Sequence, residues 1–275
     1  MEVKIYIPHP ALREFVLNIS TVDVRLPNGT QEVVTPYPPA PFQSLMFYCN
    51  DPISSNQTGD GIFHLQPLSL LTGPQVSRVN VKVHATLRSV RVDFLPGGLY
   101  RLLGIPMHEL FDGGFDASDF FGPEMKRINE RLRHVPNLVE GKDLVEKFLL
   151  DHLDNLKSLL PFDRAMGHFL RHHEQMSIEK LASLSCLGIK QFERKCQERI
   201  GMNPKMYARI LRFSKAYRLR EAFPDISWTE IAYRAGYYDQ MHMIRDFKVF
   251  AGVNPSIIQQ ELFATPLRMQ RHLRY

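Results

Sequence analysis

The sequence predicts two domains of different fold class. The first is an α+β domain of mainly antiparallel strands with a few helices, and the second is an all-α domain with two helix-turn-helix motifs joined by a long helix. Three observations lead to this prediction. Residues 89–94 (SVRVDF) alternate polar and apolar side chains. The tetrapeptides GMNP (201–204) and GVNP (252–255) each follow a helical pattern. Positive charge is concentrated in the second half of the chain.

A chain of 275 residues is long enough for two ordinary domains, and 44% hydrophobic with 23% charged residues is a globular composition. No apolar run is long enough to span a bilayer, and the first ten residues lack the pattern of a secretory signal, so a cytoplasmic location without membrane contact is expected. The three cysteines form no C-x-x-C pair, which argues against a disulfide scaffold and a cysteine zinc site.

The N-terminal domain is predicted over residues 1–137. Segments 3–8, 42–49 and 89–94 are expected to be strands, and the alternation in 89–94 predicts a half-buried strand with its polar side chains toward solvent. Gly97 and Gly98 are expected to turn the chain into a short helix that ends at Gly104. Further small helices are expected near 107–111 and 123–133.

A helical connector is predicted over residues 138–161. From 144 to 160 aliphatic side chains recur at helical spacing, and Pro161 would stop the helix. This apolar stripe is compatible with burial against the chain's own domain or with a dimer interface, and it consists of Val145, Leu149, Leu153, Leu156 and Leu160.

The C-terminal domain is predicted over residues 162–275, with a unit of structure used twice. Segments 177–200 and 227–251 each have a serine that can cap a short helix, a turn, and a second helix with an apolar face. The small residues Ala182 and Ala232 would let the two helices cross closely. Matching residues lie 50 positions apart before the turn and 51 after it, so one residue has been added in the turn or at the start of the following helix.

A continuous helical pattern over 204–223 connects the two units. A rigid helix here would hold two reading helices at a fixed separation, as needed for successive major grooves that recur after roughly 34 Å of B-DNA. Residues 162–275 carry 19 lysine and arginine residues against 11 acidic ones, a net charge of +8, while residues 1–161 carry −3. This division is typical of a module that binds a polyanion joined to one that does not.

Residues 162–262 resemble the DNA-binding domain of AraC/XylS-type bacterial transcriptional regulators. The resemblance rests on the I-A, Gly-aromatic, Asp-Gln, Arg, Phe-Lys, Gly and Pro pattern of residues 231–255, and on LA (181–182), Arg194, Gly201, Pro204 and LRFSKA (211–216). Cys186 and Gly188 depart from the family's usual first turn and cap. The segments 42–49, 70–74, 90–104 and 116–122 resemble a sensor-type domain that precedes this DNA-binding domain in a subset of such regulators.

The resemblance implies that the exposed side chains of each second helix read DNA. The predicted base contacts are Lys190, Glu193, Arg194, Gln240, Met241, His242 and Arg245. The predicted phosphate contacts are Lys195, Arg209, Arg212 and Lys248, and the alternative for these four is a solvated charge without a DNA contact. The alternative for Arg194 and Arg245 is an ion pair with a nearby carboxylate such as Glu198 or Asp246.

No metal, cofactor or catalytic arrangement is predicted. The histidines of the strand-rich half are scattered without a pair at ligand spacing, and Cys49 is expected to be a small buried hydrophobe.

The sequence therefore predicts a DNA-binding transcriptional regulator whose N-terminal domain senses a small molecule or mediates self-association. The expected partner is double-stranded promoter DNA, and RNA polymerase, a small-molecule effector of unknown structure and a second copy of the chain are further candidates. Two alternatives remain open at this point, an N-terminal enzyme domain tethered to a DNA-binding domain and a protein-binding signalling adaptor.

Overall fold

The computed structural model describes residues 1–57, 61–173 and 176–273. The N-terminal part consists of two antiparallel sheets that pack against each other through a shared apolar cluster. The strands are β1 (Glu2–Tyr6), β2 (Val16–Arg25), β3 (Glu32–Tyr37), β4 (Ser44–Tyr48), β5 (Ser54–Asn56), β6 (His64–Leu65), β7 (Ser69–Thr72), β8 (Val79–His84), β9 (Thr86–Phe94) and β10 (Gly114–Asp116). The larger sheet has the order β1-β2-β9-β4-β7-β10 and the smaller one β3-β8-β5-β6.

Helices cover the outer face of the larger sheet. They are α1 (Gly98–Leu103), α2 (Ser118–Phe121), α3 (Pro123–Arg133) and α4 (Leu138–Asp151), with a short 3₁₀ helix at Met107–Leu110. Val90 and Val92 of β9 are fully buried against these helices. The α+β prediction is therefore confirmed for this part of the chain.

Strand β9 differs from its prediction in the burial of its polar face. Ser89, Arg91 and Asp93 are all buried rather than directed to solvent. The reason is tertiary, because the smaller sheet covers the face that an alternating pattern would normally leave in water. This buried polar face lines a cavity between the sheets.

The predicted connector helix is wrong beyond Asp151. Helix α4 ends there, and residues 152–160 form a 3₁₀ turn (Leu153–Asn155) and an extended segment. The backbone of Lys157 exchanges hydrogen bonds with Arg101 instead, its N–H donating to the Arg101 carbonyl and its carbonyl accepting from Arg101 Nε, both at 2.9 Å. Val145 and Leu149 are fully buried in the N-terminal core, so this part of the stripe packs within its own domain.

The C-terminal part is helical, as predicted. Its helices are α5 (Pro161–His172), α6 (Ile178–Leu184), α7 (Ile189–Ile200), α8 (Pro204–Ala222), α9 (Trp228–Arg234), α10 (Gln240–Phe250) and α11 (Pro255–Phe263). One apolar core runs through all of them, with aromatic contacts such as Phe213 against Phe247 at 4.9 Å between ring centroids. Leu17, Val76 and Leu95 from the N-terminal part pack against this core, so the two parts share an interface.

Candidate nucleic-acid interface

The first helix-turn-helix unit is formed by α6 and α7. Ser177 Oγ accepts a hydrogen bond from Lys180 N–H at 3.2 Å and caps α6. In the turn, Cys186 adopts a left-handed conformation with φ of 55°. Leu181 and Ala182 are buried where the helices cross, against Phe192 of α7. The small side chain of Ala182 permits this close crossing.

The second unit repeats this arrangement with α9 and α10. Ser227 Oγ accepts from Glu230 N–H at 3.1 Å, and Gly236 has the left-handed conformation with φ of 80°. Asp239 Oδ1 accepts from His242 N–H at 2.7 Å and caps the reading helix α10. Gly188, the equivalent cap of α7, has no side chain, and its own N–H donates to Gln191 Oε1 at 3.4 Å. The second reading helix therefore has the stronger cap.

The extra residue of the second unit lies in the turn. The first helices of the two units begin and end 50 residues apart, whereas the reading helices begin 51 residues apart. An added residue inside a helix would rotate its apolar face by about 100°. Placing it between the helices preserves the buried face of both reading helices.

The two related tetrapeptides end the two reading helices and begin the helices that follow. Gly201 and Gly252 have positive φ values of 89° and 71°, and Pro204 and Pro255 are the first residues of α8 and α11. A Cβ on Gly201 would lie 2.4 Å from Pro74 Cγ, whereas one on Gly252 would have no neighbour within 4 Å. The first tetrapeptide therefore also forms part of the contact between the N- and C-terminal parts.

The predicted base contacts of α7 lie together on an exposed face. Lys190, Glu193 and Arg194 are exposed and line one shallow hollow. Asn203 and Lys205, at the start of α8, border the same hollow and were missed by the sequence reasoning. Their position directly after the Gly201 helix stop was the available signal, because the chain turns back there beside the reading helix.

The predicted base contacts of α10 are also exposed. Gln240, Met241, His242 and Arg245 all face solvent. His242 and Arg245 line a second hollow together with Arg209 and Arg212 of α8, so α8 contributes to both hollows. The sequence reasoning missed Tyr238, which is 92% exposed and borders this hollow at the end of the turn.

The carboxylates that could neutralise the two reading arginines already have other partners. Glu198 Oε2 accepts from Lys195 Nζ at 2.8 Å, and Asp246 Oδ1 accepts from Arg209 Nη2 at 2.8 Å. Within residues 1–57, 61–173 and 176–273, neither Arg194 nor Arg245 forms an ion pair. Both guanidinium groups can therefore form new hydrogen bonds to bases or phosphates.

The predicted phosphate contacts have different environments. Lys248 is exposed, whereas Lys195 is paired with Glu198. The guanidinium of Arg209 is held by Asp246 and lies 5.2 Å from the centroid of the Phe250 ring. The guanidinium of Arg212 lies 5.7 Å from the centroid of the Tyr237 ring. The structure thus gives Arg209 and Lys195 roles within the protein that the sequence did not indicate.

Contacts between the two parts involve the far end of α7. Tyr100 of α1 donates its hydroxyl to Glu198 Oε1 at 2.7 Å, and the Arg199 guanidinium lies 4.4 Å from the centroid of the Tyr100 ring. Arg199 also forms a buried ion pair with Asp163 at 2.8 Å. Burial raises the pKa of Asp163, although the backbone N–H of Leu160 and the Arg199 guanidinium oppose this shift. The predicted base-contacting residues lie outside these contacts.

The cavity between the two N-terminal sheets has a volume of about 270 Å³. Arg91 Nε donates to Asp93 Oδ1 at 2.6 Å, and Arg91 Nη1 donates to the Tyr37 hydroxyl. The volume is close to the lower end of the range for small-molecule sites, roughly 300 Å³. The N-terminal domain therefore contains a mainly apolar cavity with a few fixed polar groups.

The described ranges contain no candidate metal site. No group of three histidine, cysteine, aspartate or glutamate side chains there could hold a metal ion. Cys49 is buried, and burial raises the pKa of its thiol to about 11. It behaves as the small buried hydrophobe that the sequence predicted. None of the helices described is both long and apolar enough to cross a membrane.

Comparisons with known proteins agree with this geometry. Residues 181–261 match the family described as a helix-turn-helix domain, and residues 4–116 match a domain of unknown function (DUF6597). A curated relative, the HTH-type transcriptional activator RhaS of Enterobacter sp. (strain 638), is 32% identical over 87 residues. This match covers 32% of the present chain and 31% of the relative. The C-terminal domain thus matches a helix-turn-helix family model, and its predicted resemblance to AraC-type DNA-binding domains is confirmed.

Two solved structures are similar to this chain, one over part of its length and one over most of it. The DNA-binding domain of AdpA, in complex with a target DNA, is 25% identical and matches with a TM-score of 0.34 over 37% of this chain and 92% of that one. ToxT from Vibrio cholerae O395 is 11% identical and matches with a TM-score of 0.48 over 90% of this chain and 99% of that one.

Proposed function

We propose that this protein is a sequence-specific DNA-binding transcriptional regulator that reads two adjacent major-groove segments with α7 and α10. The observation that supports this most strongly is the repetition of one unit with the same exposed chemistry. Arg194 and Arg245 occupy equivalent positions of the two reading helices, both are exposed, and the carboxylates beside them are paired with other cations.

The spacing of the units suits this role. Helix α8 has 19 residues, which corresponds to a length of about 28 Å. This is comparable with the roughly 34 Å between successive major grooves on one side of B-DNA. A single chain can then place two reading helices on one DNA segment, with α8 fixing their separation.

Each predicted contact has a chemical role in this proposal. Arg194 and Arg245 donate to guanine, Glu193 accepts from cytosine, and Met241 contacts a thymine methyl group. Lys190, Gln240 and His242 supply further polar base contacts. Lys195, Arg209, Arg212 and Lys248 bind phosphates, with Lys248 the most available because it is exposed and outside the ion pairs described above.

The N-terminal domain has the regulatory role in this proposal. Its cavity supports the sensing of a small-molecule effector, and self-association of two chains is the alternative means of control. Helix α4 packs with this domain, so we place the end of the N-terminal domain at residue 151 rather than at residue 137. The relative RhaS is a transcriptional activator, and RNA polymerase is the expected protein partner if the present chain also activates transcription. The proposal includes no enzymatic activity.

Binding-site selection with the full-length protein tests the proposed function. The protein is incubated with a random DNA pool, and the enriched sequence is then used to measure affinities at about 100 mM salt. Arg194→Ala and Arg245→Ala should each weaken binding by about 5- to 150-fold, equivalent to about 1–3 kcal/mol, and should each relax preference at a different base pair.

Arg127→Ala is the matched control, because it removes the same charge from an exposed position on α3. It should leave the affinity unchanged. If neither reading-helix variant altered the affinity for the enriched sequence, α7 and α10 would not be the reading helices.

A further inference from the structure

The chain after α11 returns to the N-terminal domain. We call residues 265–273 the C-terminal tail. Leu267 is 2% exposed and packs among Val24 and Tyr48 of the larger sheet. Leu273 packs against Ala40 and Phe42. The tail thus belongs to the C-terminal domain by sequence and to the N-terminal domain by packing.

The C-terminal tail forms one wall of the cavity between the sheets. Met269, His272 and Leu273 line the cavity together with side chains from both sheets. A molecule that filled the cavity would therefore contact this segment directly. A change in the cavity would also change the packing surface on which the tail rests.

The same tail is fixed to the helix that links the two reading units. Gln270 N–H donates to Glu221 Oε2 of α8 at 2.9 Å, and Arg218 of α8 donates to the Leu273 carbonyl. On its other side, Gln270 donates through Nε2 to the Pro38 carbonyl of the N-terminal domain. Gln270 is fully buried, so this one residue joins the region beside the cavity to α8.

The charges around the cavity indicate which class of molecule it can hold. Arg91 and Asp93 neutralise each other within one buried ion pair. Asp112, the other carboxylate of the lining, accepts hydrogen bonds from the backbone N–H groups of Val76 and Ser77 and from the Ser77 hydroxyl. Tyr48 Oη and Ser89 Oγ, on neighbouring strands of the cavity face, are buried without a hydrogen-bond partner among the described residues. A charged ligand would bring an uncompensated charge into this interior, whereas a neutral ligand with a hydroxyl or amide group would not.

We propose that the cavity binds an uncharged, mainly apolar small molecule and that the C-terminal tail, as the shared wall, transmits its presence to α8 and so to both reading helices. This inference deepens the proposed regulatory role of the N-terminal domain and rests on it. Transmission requires that the occupant bind more tightly to one arrangement of the tail than to another. A difference between two arrangements of the tail would reach α8 because the tail contacts both the cavity and α8.

Two fluorescent probes of the same ring system test the site. N-phenyl-1-naphthylamine is uncharged and fluoresces in apolar surroundings, and 1-anilinonaphthalene-8-sulfonate adds one negative charge. The full-length protein should bind the neutral probe at least about tenfold more tightly than the anionic one. Thr72→Phe and Leu70→Trp, which fill the cavity from the same strand, should each weaken binding of the neutral probe at least tenfold relative to the wild type.

Equal binding of both probes, no binding of the neutral probe, or unchanged binding by folded cavity-filling variants would overturn the assignment of the site.

Hydrogen exchange measured on the full-length protein tests the role of the tail. The neutral probe should change the exchange of the tail amides over 267–273. Unchanged exchange while the probe occupies the cavity would overturn the tail's part in the proposal.

Affinity for the enriched DNA tests the transmission. The neutral probe should change wild-type affinity at least threefold, which is a coupling of about 0.7 kcal/mol. The variant Gln270→Ala should lose this change while still binding both DNA and the neutral probe. Arg271→Ala, at an exposed position of the same tail, should retain it.

The two proposals fail in different ways. A wild-type protein that selects no DNA sequence contradicts the proposed function, while the probe and exchange results still decide the site and the movement of the tail. A protein that binds DNA with an affinity unaffected by a bound probe contradicts the inference alone.

Discussion

Arg209 of the linking helix and Asp246 of the second reading helix form a double hydrogen bond in which Nε and Nη2 both donate to Oδ1, at 3.0 and 2.8 Å. The other oxygen of Asp246 accepts from the Tyr237 hydroxyl at 3.1 Å. These contacts join α8, the turn of the second unit and α10. The orientation of the second reading helix therefore depends on an arginine that the sequence suggested only as a phosphate contact.

The first prediction concerns this pair. Arg209→Ala should lower the free energy of unfolding by about 1–2 kcal/mol, because it leaves the buried Asp246 carboxylate without its charged partner. Chemical denaturation monitored by circular dichroism measures this. Arg245→Ala, on the exposed face of α10, should change it by less than about 0.5 kcal/mol. Equal stability of Arg209→Ala and the wild type would show that the pair does not hold α10 in place.

The second prediction concerns phosphate binding. Lys248→Ala should weaken binding to the enriched DNA and to unrelated DNA by similar factors, because a phosphate contact carries no sequence information. It should also reduce the slope of log affinity against log salt concentration by about 1. Fluorescence anisotropy titrations over a series of salt concentrations measure both quantities. An unchanged slope would exclude Lys248 as a phosphate contact.

The third prediction concerns the left-handed turn residues. Cys186 adopts φ of 55° although its side chain disfavours that region, and Gly236 occupies the equivalent place in the second unit. Cys186→Gly should raise the free energy of unfolding by about 0.5–1 kcal/mol, because the exposed thiol makes little packing contact and the strain is relieved. Gly236→Ala should lower it by about 1 kcal/mol. Thermal and urea denaturation of the two variants should therefore give opposite signs.

The fourth prediction concerns Glu221 beneath the C-terminal tail. Burial raises its pKa from 4.5 to about 7, against the lowering effects of the Gln270 and Arg271 backbone and the charges of Arg268 and Arg271. The nearby Tyr37 and Tyr217 stay uncharged in this range because their own pKa values are raised. The folded state thus holds a proton that the unfolded chain releases above 4.5.

Because the folded pKa is the higher one, this group's contribution to stability is fully present below pH 4.5 and is lost as the pH rises through 7. The loss should be at most about 3 kcal/mol, from about 1.36 kcal/mol per unit of pKa shift. Urea denaturation of the wild type and of Glu221→Gln at a series of pH values measures this loss as the difference between their free energies of unfolding. A difference that did not change between pH 4.5 and pH 8 would contradict the assignment of this carboxyl.

Local sequence was sufficient for the C-terminal helices. Helix caps and helix stops act within a few residues of chain, so they can be predicted from the sequence. The caps are Ser177 and Ser227, the stops are Gly201 and Gly252, and prolines begin the helices that follow. The reading faces followed from the same helical period, since one face of α7 and α10 is apolar and the opposite face is polar.

Long-range contacts determined where the sequence reasoning failed. The apolar stripe that continues past Asp151 predicted one helix, but hydrogen bonds between Lys157 and Arg101 replace the helical ones there. The polar side chains of β9 predicted a solvent face, yet the second sheet covers them. Neither partner is close in sequence, so no local pattern could have indicated it.

By itself, then, the sequence determined the two fold classes, the duplicated unit with its one added residue, and the polar faces of the reading helices, because caps, helix stops and periodicity act over short stretches of chain. Only the tertiary structure decided that Arg209 holds Asp246, that Ser89, Arg91 and Asp93 face a cavity, and that the C-terminal tail forms one wall of that cavity. Those relationships join residues far apart in the chain, where burial and hydrogen-bond partners depend on packing rather than on neighbouring sequence.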